Sequence, residues 1–129
     1  MKKFGLFVLV AVAAALIWAG GAGDAAARPP YPAMFLDHYK DNTKVADAAK
    51  EAKCTVCHSA KEKKVRNDYG KAVEKDMPKK LFDDLKADKG ALAKKVAEAL
   101  KKAEDEKNEA GKKFGEILKD GKLPGTPIP

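Results

Sequence analysis

The stretch that decides the fold is Cys54-Thr55-Val56-Cys57-His58, which holds the only two cysteines of the 129-residue chain and one of its two histidines. Only two residues separate the cysteines, so both sulfurs are expected on one side of a single turn. The imidazole of His58 follows directly. The spacing therefore predicts one site built from two thiols and one imidazole.

Three kinds of site use a CxxC pair, and the surrounding sequence separates them. A redox dithiol is expected within a βαβ pattern, but no convincing alternating β-branched run occurs beyond the first residues. A structural zinc site needs four ligands, and only His38 remains to be added. The third kind is a c-type haem site, in which Cys54 and Cys57 bond to the two haem vinyl groups and His58 is the proximal iron ligand. The motif favours this interpretation.

The N-terminus has the features of an export signal. Lys2 and Lys3 precede an apolar run that extends from Phe4 to Trp18 apart from Gly5, and small residues continue to Ala27. This order predicts a signal peptide over residues 1–27, cleaved after Ala27, and a periplasmic protein without stable membrane insertion. The apolar run is shorter than the roughly 20 residues of a spanning helix, although the small residues leave an uncleaved anchor as an alternative.

Residues 28–129 are predicted to form one small basic domain. Loss of Lys2, Lys3 and Asp24 lowers the formal net charge from +7 to +6. Basic and acidic residues alternate along the chain and the protein is exported, so nucleic acid is not an expected partner. Just beyond the motif lie Lys61, Lys63, Lys64 and Arg66. These four side chains predict a docking surface for acidic redox partners. The alternative for the lysines is that they only keep the protein soluble, and the alternative for Arg66 is that it pairs with a haem propionate.

Helical spacing of apolar residues predicts an all-α domain. Three prolines predict an extended lead-in over residues 28–33. Asp41-Asn42 is expected to cap a helix that leads into Cys54. A short helix is predicted from Met34 to Tyr39. After the motif, Val65, Tyr69, Val73 and Met77 form an apolar stripe of a helix that Pro78 stops, and a short helical piece around Leu81 to Leu85 ends near Gly90. A long helix is predicted from about Ala91 to Ala110, and a last apolar patch lies at Phe114 to Leu118.

With these features the chain resembles the small secreted bacterial monohaem c-type cytochromes. The resemblance implies a cytochrome c-like fold, in which helices wrap round one covalent haem c, and it implies electron transfer as the function. The chain shows no Gly-rich phosphate loop and no further thiol, so no enzymatic activity is expected. One departure is that residues 78–129 contain no methionine, whereas the family usually carries its axial methionine in that part of the chain.

The identity of the sixth iron ligand is therefore open at this stage. His38 is predicted as the distal ligand, because it is the only spare imidazole and lies in a mostly apolar segment. Met77 is the alternative, since a helix break follows it, and Met34 is a weaker one. An open sixth position would instead favour a gas-binding or gas-sensing haem protein. A haem subunit of a larger periplasmic redox complex is a further alternative.

Overall fold

The computed structural model describes residues 30–129, which form six α-helices and one short 3-10 helix. No β-strand occurs in this range, so the predicted all-α class is confirmed. The helices are α1 Pro30–His38, α2 Thr43–Ala52, α3 Asp68–Asp76, α4 Lys79–Leu85, α5 Lys89–Ala103 and α6 Phe114–Lys119, with the 3-10 helix at Lys53–Val56. The predicted signal peptide and its cleavage point lie outside the described residues. Within residues 30–129, no helix has the length and apolar character needed to cross a membrane.

Polar side chains begin three of the helices. Asn42 caps α2 by accepting a hydrogen bond from the Val45 N–H, Asn67 caps α3 in the same way, and Asp88 caps α5. Each side-chain oxygen satisfies a backbone donor that has no partner within its helix. The predicted cap at Asp41-Asn42 is confirmed.

Two predicted boundaries are wrong for identifiable reasons. Helix α1 begins at Pro30, so residues 30–33 are helical rather than extended. The first turn of a helix needs no backbone N–H donors, and proline is therefore tolerated there. Helix α5 begins at Lys89 because Asp88 caps it, and it ends at Ala103 rather than near Ala110. The chain then turns at Gly111, whose φ of +79° is readily adopted only by glycine.

The core lies between α3 and α5 and is closed by α1, α2 and α6. Its largest fully buried apolar side chains are Tyr69, Phe114, Met77, Leu92, Val45 and Val96. The Tyr69 ring meets Phe35 and Phe114 edge to face, with ring centroids 6.3 and 5.3 Å apart. The predicted α3 stripe is correct except at Val65, which precedes the helix and is 39% exposed.

Ion pairs join α3 to α5 and the segment that follows it. Lys102 lies four residues from both Glu98 and Glu106, a spacing that predicts ion pairs along one helix, but within residues 30–129 neither ion pair is formed. Instead, Lys102 bonds to Asp76 at 2.6 Å, and Glu106 bonds to Lys75 at 2.9 Å. These side chains are largely exposed, so the pairs contribute little to stability.

Candidate cofactor-attachment site

Residues Cys54 to His58 form one closed turn at the end of α2. The backbone N–H groups of Cys57 and His58 both donate to the carbonyl oxygen of Cys54, at 3.3 and 3.1 Å. The turn starts sharply at Lys53, which has a φ of +52° and is the only non-glycine residue with positive φ in residues 30–129. The structure thus brings the two cysteines and His58 together, in the single turn that the spacing predicted.

Helix α3 packs its first turn directly against this motif. The backbone N–H of Asn67 donates to the carbonyl oxygen of Cys57 at 2.9 Å. Gly70 lies so close that a Cβ atom there would overlap the same oxygen and would lie 3.0 Å from the Cys57 carbonyl carbon. A residue with a side chain at position 70 would therefore force the helix and the turn apart.

A short loop returns the chain from the motif to α3. His58 and Arg66 pair as an isolated antiparallel bridge, and the Ser59 N–H donates to the Val65 carbonyl at 2.9 Å. The buried Ser59 hydroxyl accepts from the N–H groups of Lys61 and Glu62, at 3.2 and 3.3 Å. The loop is thereby held as a compact extension of the motif.

The C-terminal segment, residues 123–129, closes over the motif and the loop. Thr126 donates to the Asp68 carboxylate through its N–H at 2.7 Å and through its hydroxyl at 2.5 Å. The Ala60 N–H donates to the Ile128 carbonyl and the Ser59 hydroxyl to the Pro129 carbonyl, at 3.3 and 3.2 Å. Sequence reasoning did not find this contact. The prolines and Gly125 indicate only that the segment is not helical.

Three ionisable groups next to the motif have raised pKa values because they are buried. Burial raises the pKa of the Cys57 thiol to about 12, although the nearby Arg66 guanidinium acts in the opposite direction. Burial also raises the pKa values of the Tyr39 and Tyr69 phenols, on which the charge of a Cys57 thiolate would act. The Tyr39 hydroxyl donates to Glu104 Oε1 at 3.0 Å and lies 3.5 Å from the Tyr69 hydroxyl. The thiol and both phenols are therefore neutral at ordinary pH.

The residues predicted as distal ligands lie in two other places. His38 ends α1, is partly exposed and packs edge to face on Tyr39, with centroids 4.6 Å apart. With Met34, four residues earlier on the same helix face, it lines a pocket of about 260 Å³ between α1 and α5. The motif residues do not line this pocket. Met77 follows the last residue of α3 and is 1% exposed in the core. The sixth ligand stays a prediction.

The basic residues after the motif differ in their contacts. Arg66 bonds to Glu74 at 3.2 Å. The side chains of Lys61, Lys63 and Lys64 are exposed, and within residues 30–129 none of them forms an ion pair. A partner molecule can therefore contact these three lysines without first breaking an internal bond.

The donor chemistry of the turn fits a c-type haem. Cys54 and Cys57 are not joined in a disulfide, so both thiols are available for thioether bonds. In residues 30–129 no three His, Cys, Asp or Glu side chains form a group that could hold a metal ion by themselves. The turn follows a helix and not a strand, unlike the βαβ setting of a redox dithiol. Comparisons of the chain with protein-family models, with curated proteins and with solved structures found no match.

Proposed function

We propose that this domain carries one covalent haem c and transfers electrons in the periplasm. Cys54 and Cys57 would provide the thioether bonds, and His58 would be the proximal iron ligand. The observation that carries the proposal is the closed turn, in which two free thiols and one imidazole follow one another in a conformation held by α3. A bound haem supplies an iron that alternates between the ferric and ferrous states, so it passes on one electron at a time.

Electron transfer is favoured over catalysis because attachment of a haem would use both thiols and the imidazole of the motif. The neutral Cys57 thiol is a poor nucleophile. The neighbouring phenols are also protonated at ordinary pH. We therefore propose that the protein's own groups hold and shield a redox centre and leave no group to transform a substrate.

The proposed redox partners are proteins with an acidic surface. Five exposed lysines flank the motif, namely Lys53, Lys61, Lys63, Lys64 and Lys71. Like-signed charges gathered beside one site attract an oppositely charged partner and orient it during approach. A carboxylate-coated gold electrode is a suitable model partner. Electron exchange with it should slow as salt is added, and Lys61→Glu/Lys63→Glu should slow it at low salt more than Lys94→Glu/Lys101→Glu on α5. Equal effects of the two double variants would refute the docking surface.

Haem attachment is tested by expressing the full chain together with a c-type haem maturation system. The intact mass of the denatured protein should include one haem, and a reversible one-electron couple should be seen by voltammetry. Cys54→Ala/Cys57→Ala should abolish covalent attachment, and His58→Ala should impair it because the iron loses its nitrogen ligand. Thr55→Ala is the matched control, since it changes the same turn but keeps both sulfurs and the imidazole. A wild-type mass without haem would refute the proposal.

Carbon monoxide separates electron transfer from the gas-binding alternative. With a sixth protein ligand in place, for which we propose His38 with Met77 as the alternative, the ferrous spectrum should hardly change on exposure to the gas. A rapid and complete spectral change would indicate an open position, and gas binding would then replace electron transfer as the proposed function.

A further inference from the structure

We infer that Asn67 is the positioning residue of the attachment turn, because it holds both peptide groups that flank Cys57. The inference rests on the proposed function, since it concerns how the turn presents its ligands to a haem. Asn67 is 1% exposed, which is unusual for a polar side chain outside a catalytic group. Its place after the loop gives no sign of this role in the sequence.

Every polar group of Asn67 except its backbone carbonyl contributes to the link between the turn and α3. Its backbone N–H donates to the Cys57 carbonyl at 2.9 Å. Its side-chain Nδ2 donates to the Val56 carbonyl at 3.0 Å. Its Oδ1 accepts from the Gly70 N–H at 2.8 Å and so starts α3. One residue therefore joins two carbonyls of the turn to the first turn of the helix.

The effect on Cys57 follows from the planarity of the peptide bond. The Val56–Cys57 peptide is held at its oxygen by Asn67 Nδ2 and at its nitrogen by the Cys54 carbonyl. The Cys57–His58 peptide is held in the same way, by the Asn67 N–H and again by the Cys54 carbonyl. With both planes fixed at both ends, the Cα–Cβ direction of Cys57 and the position of the His58 Cα atom are fixed relative to α3.

The C-terminal segment makes the side chain of Asn67 difficult to replace. A Cβ atom on Gly125 would lie 2.7 Å from Asn67 Cγ and 2.8 Å from the Val56 oxygen, so no free space remains there. Without Nδ2, the Val56 carbonyl would lose the side-chain donor that it has in wild type.

Asn42 provides a matched control within the same chain. It also caps a helix, accepting from the Val45 N–H at 3.3 Å, and its Nδ2 also donates to a distant carbonyl, that of Leu118 at 2.8 Å. Both side-chain bonds of Asn42 therefore go to α2 and α6 and not to the turn. Asn42→Ser and Asn67→Ser each keep a capping oxygen and each lose one amide donor, but only the second change reaches Cys57.

The experiment compares these two serine variants with wild type in two forms of the protein. In the haem-loaded form, Asn67→Ser should shift the midpoint potential and the ferric absorption bands, whereas Asn42→Ser should leave both as in wild type. In haem-free protein made without a maturation system, Asn67→Ser should speed alkylation of Cys57 about tenfold, the factor expected for one lost hydrogen bond. Asn42→Ser should not change that rate.

The outcomes separate this inference from the proposed function. If wild type takes up no haem, the proposed function fails, while the alkylation rates still test the positioning of Cys57. If wild type carries haem but the two serine variants behave alike in potential, spectrum and alkylation, the positioning role is refuted. Asn67→Thr keeps a capping oxygen without adding charge but also loses the Nδ2 donor. It should reproduce the effects of Asn67→Ser, and it serves as the test if the serine variant does not fold.

Discussion

Replacing Gly70 by alanine is expected to destabilise the domain, although alanine normally favours a helix. The added Cβ would overlap the Cys57 carbonyl oxygen and would lie 3.0 and 3.2 Å from the carbonyl carbon and Cα of the same residue. All three are backbone atoms of a turn closed by hydrogen bonds, so no side-chain rotation can relieve the contact. Helix α3 and the turn must move apart, and the Asn67 N–H bond to Cys57 is strained.

The magnitude follows from two opposing terms. Overpacking of a close contact costs about 1–3 kcal/mol, and a contact with backbone belongs at the upper end of that range. The gain from replacing glycine by alanine inside a helix is about 1 kcal/mol. We therefore expect the free energy of unfolding to fall by about 2 kcal/mol. For a domain of this size, that corresponds to a decrease in melting temperature of about 10 °C.

Gly90 serves as the control, because it also lies in a helix but faces open space. A Cβ there would meet only Asp88 Oδ1, at the ordinary contact distance of 3.5 Å. Gly90→Ala should raise the melting temperature by up to about 5 °C. Both variants and wild type are melted under the same conditions, and the loss of helix is followed by far-UV circular dichroism. A Gly70→Ala protein as stable as wild type, or more stable, would refute the close approach of α3.

Three further results are expected. In haem-free protein at pH 8, Cys57 should be alkylated about 10³-fold more slowly than an ordinary thiol, because its raised pKa leaves it protonated. The alkylation rate should increase as the pH rises toward about 12. Unfolding in urea should abolish the difference between Cys57 and an ordinary thiol. In the haem-loaded protein, His38→Ala should alter the ferric spectrum and Met77→Leu should not; the reverse pattern would identify Met77 as the sixth ligand, and no change in either would leave the position open or ligated by Met34. Sequencing of the exported protein should find its N-terminus after Ala27, whereas Met1 retained in a membrane fraction would indicate an anchored form.

The sequence by itself determined the features that depend on neighbours along the chain. The spacing of Cys54, Cys57 and His58 predicts one turn, and that turn is present because two intervening residues suffice to close it. The Asn42 cap and the break at Pro78 were predictable for the same reason, since a cap or a missing N–H acts within one turn of helix. Apolar spacing likewise identified Tyr69 and Val73 as core residues.

Only the tertiary structure decided which distant segments meet the turn. Asn67 follows an ordinary polar loop, and its role depends on carbonyls 10 and 11 residues earlier in the chain. Thr126 reaches Asp68 across 58 residues, and nothing in the proline-rich tail predicts that contact. Likewise, Lys102 bonds to Asp76 on α3 and not to a residue of its own helix, because the packing of α3 on α5 brings that carboxylate closer. Such contacts depend on how helices pack, and packing is a property of the whole core that no local pattern encodes.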